Sequence, residues 1–320
     1  MSAFLTILAA VVTVYVLIYY YLFKCTRRCE STVKLKGKTA IVTGGNTGIG
    51  KATALELARR GARVILACRS RPRAEAAVFD IRRESGNGEV VYMQLDLASL
   101  KSVRSFAENF LKTEPRLDLL INNAGVMGPG RTEEGLDLAF GVNHLGHFLL
   151  TRLLLERLRM ADASRVVNVA ALLYRLGGVN LPALTAPPRD SAPAPSGWAH
   201  VQSYSNSKLC NLLFTRELAN QLEGTSVTCY SLHPGVVKTE IGRDMPLWLR
   251  LLSVPMGALF FLDVEAGSQT TLHCALQEGI ERYSGRYFSD CAVQEVDAKA
   301  RDDAVARKLW EVSETLCGLR

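Results

Sequence analysis

Tyr204 and Lys208, four residues apart in Tyr204-Ser205-Asn206-Ser207-Lys208, share one face of any helix that carries them. An ammonium beside a phenol favours the phenolate and lowers the tyrosine's pKa from about 10. Such a pair can move a proton to or from a substrate oxygen near neutral pH. Taken alone, Y-x-x-x-K is common by chance, and an ordinary helix surface would explain it. A second group lies far upstream, where Thr43-Gly44-Gly45-Asn46-Thr47-Gly48-Ile49-Gly50 follows the apolar run Thr39–Thr43. Glycines let a backbone turn tightly and approach a pyrophosphate, and a helix N-terminus offers it unpaired N–H groups. The spacing is G-x-x-x-G-x-G, so its place after the first strand, more than the pattern, favours a nucleotide over a plain turn. A third group closes the next strand. About 20 residues past such a loop, an NAD site places an acid on the ribose 2′-hydroxyl. Here Ala67-Cys68-Arg69-Ser70-Arg71 has none. Arg69 can pair a 2′-phosphate, helped by Ser70 and Arg71, which favours NADP(H) over NAD(H).

These groups need a frame, and the hydropathy pattern supplies one. Strands are expected at Thr39–Thr43, Arg63–Cys68, Val90–Leu95, Leu117–Ile121, Arg165–Ala170 and Ser226–Leu232. Helices are expected over Ile49–Arg60, residues 73–84, 99–113 and 134–159, and Ser203–Leu222, the last opening near Tyr204. Strands alternating with helices imply parallel pairing and right-handed crossovers. The expected fold is α/β: a single doubly wound Rossmann domain over residues 36–315, with a mainly parallel sheet. Five of the chain's 11 prolines fall between Pro182 and Pro195, so 176–197 reads as a surface insertion. Residues 243–263 are mostly apolar and broken by Pro246 and Pro255; they read as a lid over an apolar pocket, or as a core-packed helix pair.

Ahead of the domain, Phe4 to Phe23 is a run of 20 residues without a charge. At about 1.5 Å per residue it spans the hydrocarbon thickness of a bilayer, so residues 1–24 read as one N-terminal transmembrane helix. Lys24, Arg27 and Arg28 follow it and no Lys or Arg precedes it, which puts the domain on the cytoplasmic side. A cleaved signal peptide, and hence secretion, is the alternative, but a basic start and a small-residue cleavage site are absent. Eight scattered cysteines suit reduced thiols, and Cys25 and Cys29 lack partners for a metal site. The net charge of +7 comes without interleaved aromatics, so nucleic acid is not an expected partner.

In order along the chain come Thr43–Gly50, Asp96-Leu97, Asn122-Asn123-Ala124-Gly125, Asn143 in Val142–Phe148, Tyr204–Lys208, and His233-Pro234-Gly235 through Thr239. With them the sequence resembles the short-chain dehydrogenase/reductase family over roughly residues 36–290. The apolar start, Ala67-Cys68-Arg69 and Ser284–Phe288 are most similar to its microsomal retinol dehydrogenase branch. The resemblance implies that Gly44, Asn46, Gly48, Ile49 and Gly50 hold the pyrophosphate and adjoining ribose. It gives Arg69 the 2′-phosphate, Asp96 and Leu97 the adenine, and Asn123, Ala124 and Gly125 the adenine-ribose side. Pro234, Gly235, Val237 and Thr239 would border the nicotinamide. Tyr204 would be the acid/base, Lys208 would lower its pKa and hold the nicotinamide ribose, and Asn143 would help a proton relay through water.

One family member is missing. The family's substrate-facing serine falls at Ala171, after Asn168-Val169-Ala170. Alanine neither donates nor accepts a hydrogen bond. Either the enzyme is slowed, with Tyr174 or Ser203 as candidate substitutes, or the chain is a pseudoenzyme, a membrane-tethered nucleotide-binding or scaffold protein. The enzyme reading is favoured by the intact Asn143, Tyr204 and Lys208. Its substrate would be a lipophilic carbonyl or alcohol, retinal or retinol by resemblance, reduced with NADPH at the endoplasmic reticulum. A homodimer through long helices is a further implication of the family.

Overall fold

The computed structural model describes residues 6, 13–15, 27–182, 197–235, 237 and 262–320. Strands β1 (Thr39–Thr43), β2 (Arg63–Cys68), β3 (Val90–Gln94), β4 (Leu119–Asn122), β5 (Ser164–Val169), β6 (Val227–His233), β7 (Tyr287–Ser289) and β8 (Ala292–Gln294) make one sheet. Their order is β3-β2-β1-β4-β5-β6-β7-β8, and every pairing is parallel except β7–β8. Each residue of β1 and of β4 is buried, because helices cover both faces and leave no side for polar alternation. The strand order reverses between β1 and β4, and the crevice outside their carboxyl ends is where such sheets take ligands.

One face carries α1 (Gly48–Arg59), α2 (Arg71–Ser85) and later α6 (Val264–Leu276), packed around Leu57, Ile81 and Leu272. The other carries α3 (Leu100–Thr113), α4 (Gly146–Arg159) and α5 (Gly197–Gln221) around Phe106, Phe110, Leu154 and Leu213. A last helix, α7 (Asp303–Leu316), lies over α4 and α5. Its Trp310 ring sits 4.9 Å from Phe148 and 5.9 Å from Phe214, and Arg152 is 5.2 Å over the same indole. Arg152 also reaches Glu314 at 3.0 Å.

Two expected helices begin elsewhere. The stretch expected over 134–159 starts as a short helical turn, Leu138–Phe140, passes through a π turn at Gly141–Leu145, and only then becomes α4. The helix expected from Ser203 starts at Gly197, so Tyr204 sits about two turns inside α5 and does not open it. After the proposed serine position comes a 3₁₀ helix, Leu172–Leu176. Most of the proline-rich insertion (183–196), nearly all of 243–263, Thr239 and most of the apolar run 4–23 lie outside the described residues. Among the described residues one helical stretch, Leu138–Arg159, is long and apolar enough to cross a membrane, but 83% of its apolar window is buried in the core. The seven described cysteines are all free.

Candidate active site

The glycine turn closes on itself and on β4. Gly44 has φ +64°, and a Cβ there would lie 3.1 Å from the Ala124 Cα. A Cβ on Gly50 would lie 2.4 Å from Asn123 Nδ2 and 2.5 Å from the Gly44 oxygen, inside van der Waals contact. Any larger residue would push α1 away from the strand ends, so this approach requires glycine. Asn46, Gly48 and Ile49 line the same turn, half-buried.

Helix caps point to what the turn holds. Ser99, Asp263 and Asp302 each cap their helices with a side-chain acceptor. By contrast Thr47 before α1 and Ser70 before α2 make no side-chain cap bond, and neither helix has an acid in its first turn. These two N-termini flank the crevice with unpaired N–H groups and positive dipole ends, which suit anions. Arg69, just ahead of α2, is exposed and makes no ion pair among the described residues, whereas Arg71 is taken by Glu75 at 2.8 Å. The cradle therefore fits a dinucleotide, with Arg69 exposed at its α2 side. Leu97 is buried and Asp96 half-buried at the end of β3; the Asp96 carboxylate accepts from the Ala98 N–H at 3.0 Å.

A threonine ties this cradle to the catalytic side. Thr43 Oγ1 accepts from the N–H groups of Asn123 (2.9 Å) and Ala124 (3.0 Å). Asn123 Nδ2 donates back to the Thr43 oxygen at 2.9 Å. His147 Nε2 lies 2.8 Å from the same hydroxyl, and His147 Nδ1 lies 3.1 Å from the Asn143 carbonyl. A hydroxyl has two lone pairs and one proton. Two backbone donors fill the lone pairs, and the proton has the Ile121 carbonyl (3.3 Å) as well as His147 within reach; the Asn143 carbonyl can only accept, so Nδ1 carries the hydrogen of the neutral ring and Nε2 is the acceptor. Hydrogen-bond count thus assigns the tautomer.

Asn143, fully buried in the π turn, accepts from the Val126 N–H (2.8 Å) and donates to the Val126 oxygen (3.0 Å) and Ser207 Oγ (2.9 Å). Both its amide hydrogens are used, so that side chain braces α5. Ser207 in turn donates to the Tyr204 backbone carbonyl at 2.7 Å. Thr43, His147 and Ser207 carry this framework, and sequence reasoning missed them. Their signal was present only as polar residues inside recognised motifs.

Tyr204 and Lys208 are 7% and 2% exposed, and the Lys208 Nζ lies 5.5 Å from the tyrosine ring centre. Lys208 donates to the Val169 oxygen at 2.9 Å, at the end of β5. The Tyr204 hydroxyl has no hydrogen-bond partner among the described residues. The expected lowering of the tyrosine pKa does not hold in the protein alone. Burial pushes the phenol up and the ammonium down to about 7, because desolvation disfavours both charged forms. Neither candidate substitute for the serine serves. Tyr174 is wholly buried with its hydroxyl accepting from the Asp297 N–H at 3.3 Å, and Ser203 donates to Asp137 at 2.5 Å. Ala171 itself is half-buried with extended backbone, φ −160° and ψ 157°. His233 ends β6 with its Nδ1 buried and unpartnered, followed by Pro234 and Gly235 (φ +89°). Val237 forms a parallel bridge to Leu262.

The buried histidines have a measurable consequence. Desolvation lowers His144 and His147 to about 3 and His233 to about 4, from an ordinary 6.5. Below pH 6.5 the unfolded chain takes up these protons and the folded chain does not. Stability is full above that pH and falls as the pH drops towards 3–4, by about 1.4 kcal/mol per histidine per pH unit. Urea unfolding at pH 7.5 and 5.5 should show a clearly lower midpoint at 5.5; an unchanged midpoint would mean that these rings are not held neutral.

The geometry has clear relatives. A family model described as short chain dehydrogenase matches residues 38–186 and 190–249. The chain is 54% identical to dehydrogenase/reductase SDR family member 13 of Bos taurus, over 100% of this chain and 83% of that protein. It is 48% identical to human retinol dehydrogenase 11, over 91% and 89% of the two chains. Among solved structures, a Mycobacterium paratuberculosis protein superposes with a TM-score of 0.69 at 34% identity, covering 89% of this chain and 95% of that one. A Beutenbergia cavernae protein solved with bound NADP gives 0.61 at 25% identity, covering 80% and 96%. This chain belongs to the short-chain dehydrogenase/reductase family of oxidoreductases.

Proposed function

We propose that the chain is an NADP(H)-dependent enzyme that interconverts a lipophilic carbonyl and its alcohol, retinal and retinol or a close analogue, with Tyr204 as acid/base. The observation that carries this is the largely buried Tyr204, its hydroxyl without a partner among the described residues, one helical turn from Lys208. The nicotinamide, when bound, supplies or accepts the hydride. The chain's own part is the proton: burial keeps the Tyr204 phenol protonated, the form that donates to a carbonyl oxygen during reduction. Lys208, anchored on Val169, would hold the nicotinamide ribose. The identity to retinol dehydrogenases supports the substrate class, and Arg69, exposed and without an ion pair among the described residues, supports the extra phosphate.

The same reading makes residues 4–23 a membrane anchor in the endoplasmic reticulum, with the domain on the cytoplasmic side. It also includes a homodimer, and a second copy pairing along α4 and α5 would meet α7, which already lies on both helices. One observation, the missing hydroxyl at Ala171, favours a second reading in which the chain binds NADPH without turnover.

Full-length protein in vesicles, given NADPH and retinal, decides between them. The expected result is loss of NADPH with an equal amount of retinol formed. Alcohol oxidation with NAD⁺ alone would refute the proposed cofactor and direction, and binding without turnover would establish the second reading. Arg69→Ala should raise KM for NADPH about ten- to a hundredfold, the worth of one charge-assisted contact, and leave KM for NADH unchanged. Equal effects on both cofactors would refute the phosphate role.

A further inference from the structure

Residues 27–35 belong to no helix or strand, yet their hydrogen bonds fix their course. The Arg27 N–H donates to Asp290 Oδ1 (2.8 Å), in the turn at the carboxyl end of β7. Arg28 pairs with Glu265 at 3.3 Å, and the Cys29 N–H donates to Gln269 Oε1 at 3.2 Å, both on the first half of α6. Ser31 Oγ then donates to the Leu276 oxygen (2.9 Å), where α6 ends. Arg60, past the end of α1, donates to the oxygens of Ser31 (2.7 Å) and Val33 (3.2 Å), and its own oxygen accepts from the Leu35 N–H. Crossover helices such as α1 and α6 begin at the carboxyl end of a parallel sheet and finish at its amino end. The strap therefore descends the whole height of α6 to reach β1, and the chain enters the domain at the carboxyl end.

That end carries the site. β7 is separated from β5, which stops at Val169 beside Lys208, by one strand, so Asp290 lies on the order of 10 Å from the end of β5. Only four peptide steps separate Phe23 from Arg27, at most about 14 Å of chain. The amino end of the sheet lies farther off by the length of α6, roughly 20 Å.

We infer that the domain rests on the bilayer by the carboxyl end of its sheet, its site turned towards the lipid. This rests on the reading of residues 4–23 as an anchor; the leash is then too short for the opposite pose. The partner is a phospholipid surface, met by the exposed Arg27 and Arg28, which suit anionic headgroups. A lipophilic substrate dissolved in the bilayer would reach the site without crossing bulk water.

The test uses the full chain with Cys25 and Cys29 replaced by serine, reconstituted in vesicles of phosphatidylcholine and phosphatidylserine. One fluorophore is attached at Val264→Cys, at the start of α6, or at Gly88→Cys, an open position ahead of β3 at the amino end. NADPH binding checks that each labelled protein is folded. Headgroup-labelled quencher lipids should quench the Val264 label several-fold more than the Gly88 label. Equal quenching, or stronger quenching at Gly88, in protein that floats with the vesicles would overturn the pose and leave the anchor standing. Protein that does not float at all would remove the anchor reading and the pose with it.

Discussion

Tyr204→Phe is expected to lower kcat for retinal reduction by about 10²–10⁴, the usual worth of a positioned acid, while NADPH binding stays within about threefold of wild type. The substitution removes one oxygen and keeps the ring. That oxygen has no partner among the described residues, so its loss orphans no donor or acceptor there. Fold stability should therefore be unchanged, which separates this variant from one that merely unfolds. Single-turnover NADPH oxidation, with cofactor binding read by fluorescence on the same samples, makes the measurement. Retained turnover would remove Tyr204 from the acid/base role and with it the proposed mechanism.

Ala171→Ser is expected to act in the opposite sense, raising kcat by about 10²-fold. Removing one donor to a developing oxyanion costs roughly 10²–10³ in rate, and this chain lacks the donor at that place. The backbone at Ala171 is extended, so serine meets no backbone strain, and the position is half-buried rather than sealed in the core. The two candidate substitutes are engaged elsewhere, Tyr174 with Asp297 and Ser203 with Asp137. Steady-state rates of the two proteins decide the matter. An unchanged rate would mean that a group outside the described residues already supplies the contact, or that proton donation by Tyr204 alone suffices.

The strands were the most legible part of the fold. Arg63–Cys68 is β2 to the residue and Thr39–Thr43 is β1, since buried apolar runs bounded by glycine or charge have only one place in a two-faced sheet. The hairpin β7–β8 was not legible. Its strands are three residues long, and its two-residue turn puts Asp290 and Cys291 at φ +51° and +54° without the glycine that usually marks such a turn. The apolar face of α7, Ala306, Leu309 and Trp310, has helical spacing, but nothing in the sequence says that it meets Phe148 and Phe214.

At the site, residue identities were readable and their energetics were not. The pairing of Tyr204 with Lys208 follows from spacing. That burial would outweigh their mutual attraction depends on how completely α5 is enclosed. The bracing contacts of Asn143 were hidden for a similar reason, because Val126 and Ser207 reach its amide from other parts of the chain.

Thr43 sets an unusual rule for which mutations this protein can absorb. By shape, valine is the neutral exchange: the same volume, the same branching, the same liking for a strand. Yet this one oxygen serves two backbone N–H groups and the ring of His147, all of them where water is scarce. Valine would leave the Ala124 N–H and the His147 ring without a partner and the Asn123 N–H with only the Ile121 oxygen, whereas serine, which loses a methyl group and opens a small void, keeps every bond. At this position the substitution that preserves packing is the damaging one, and the one that spoils packing is tolerated.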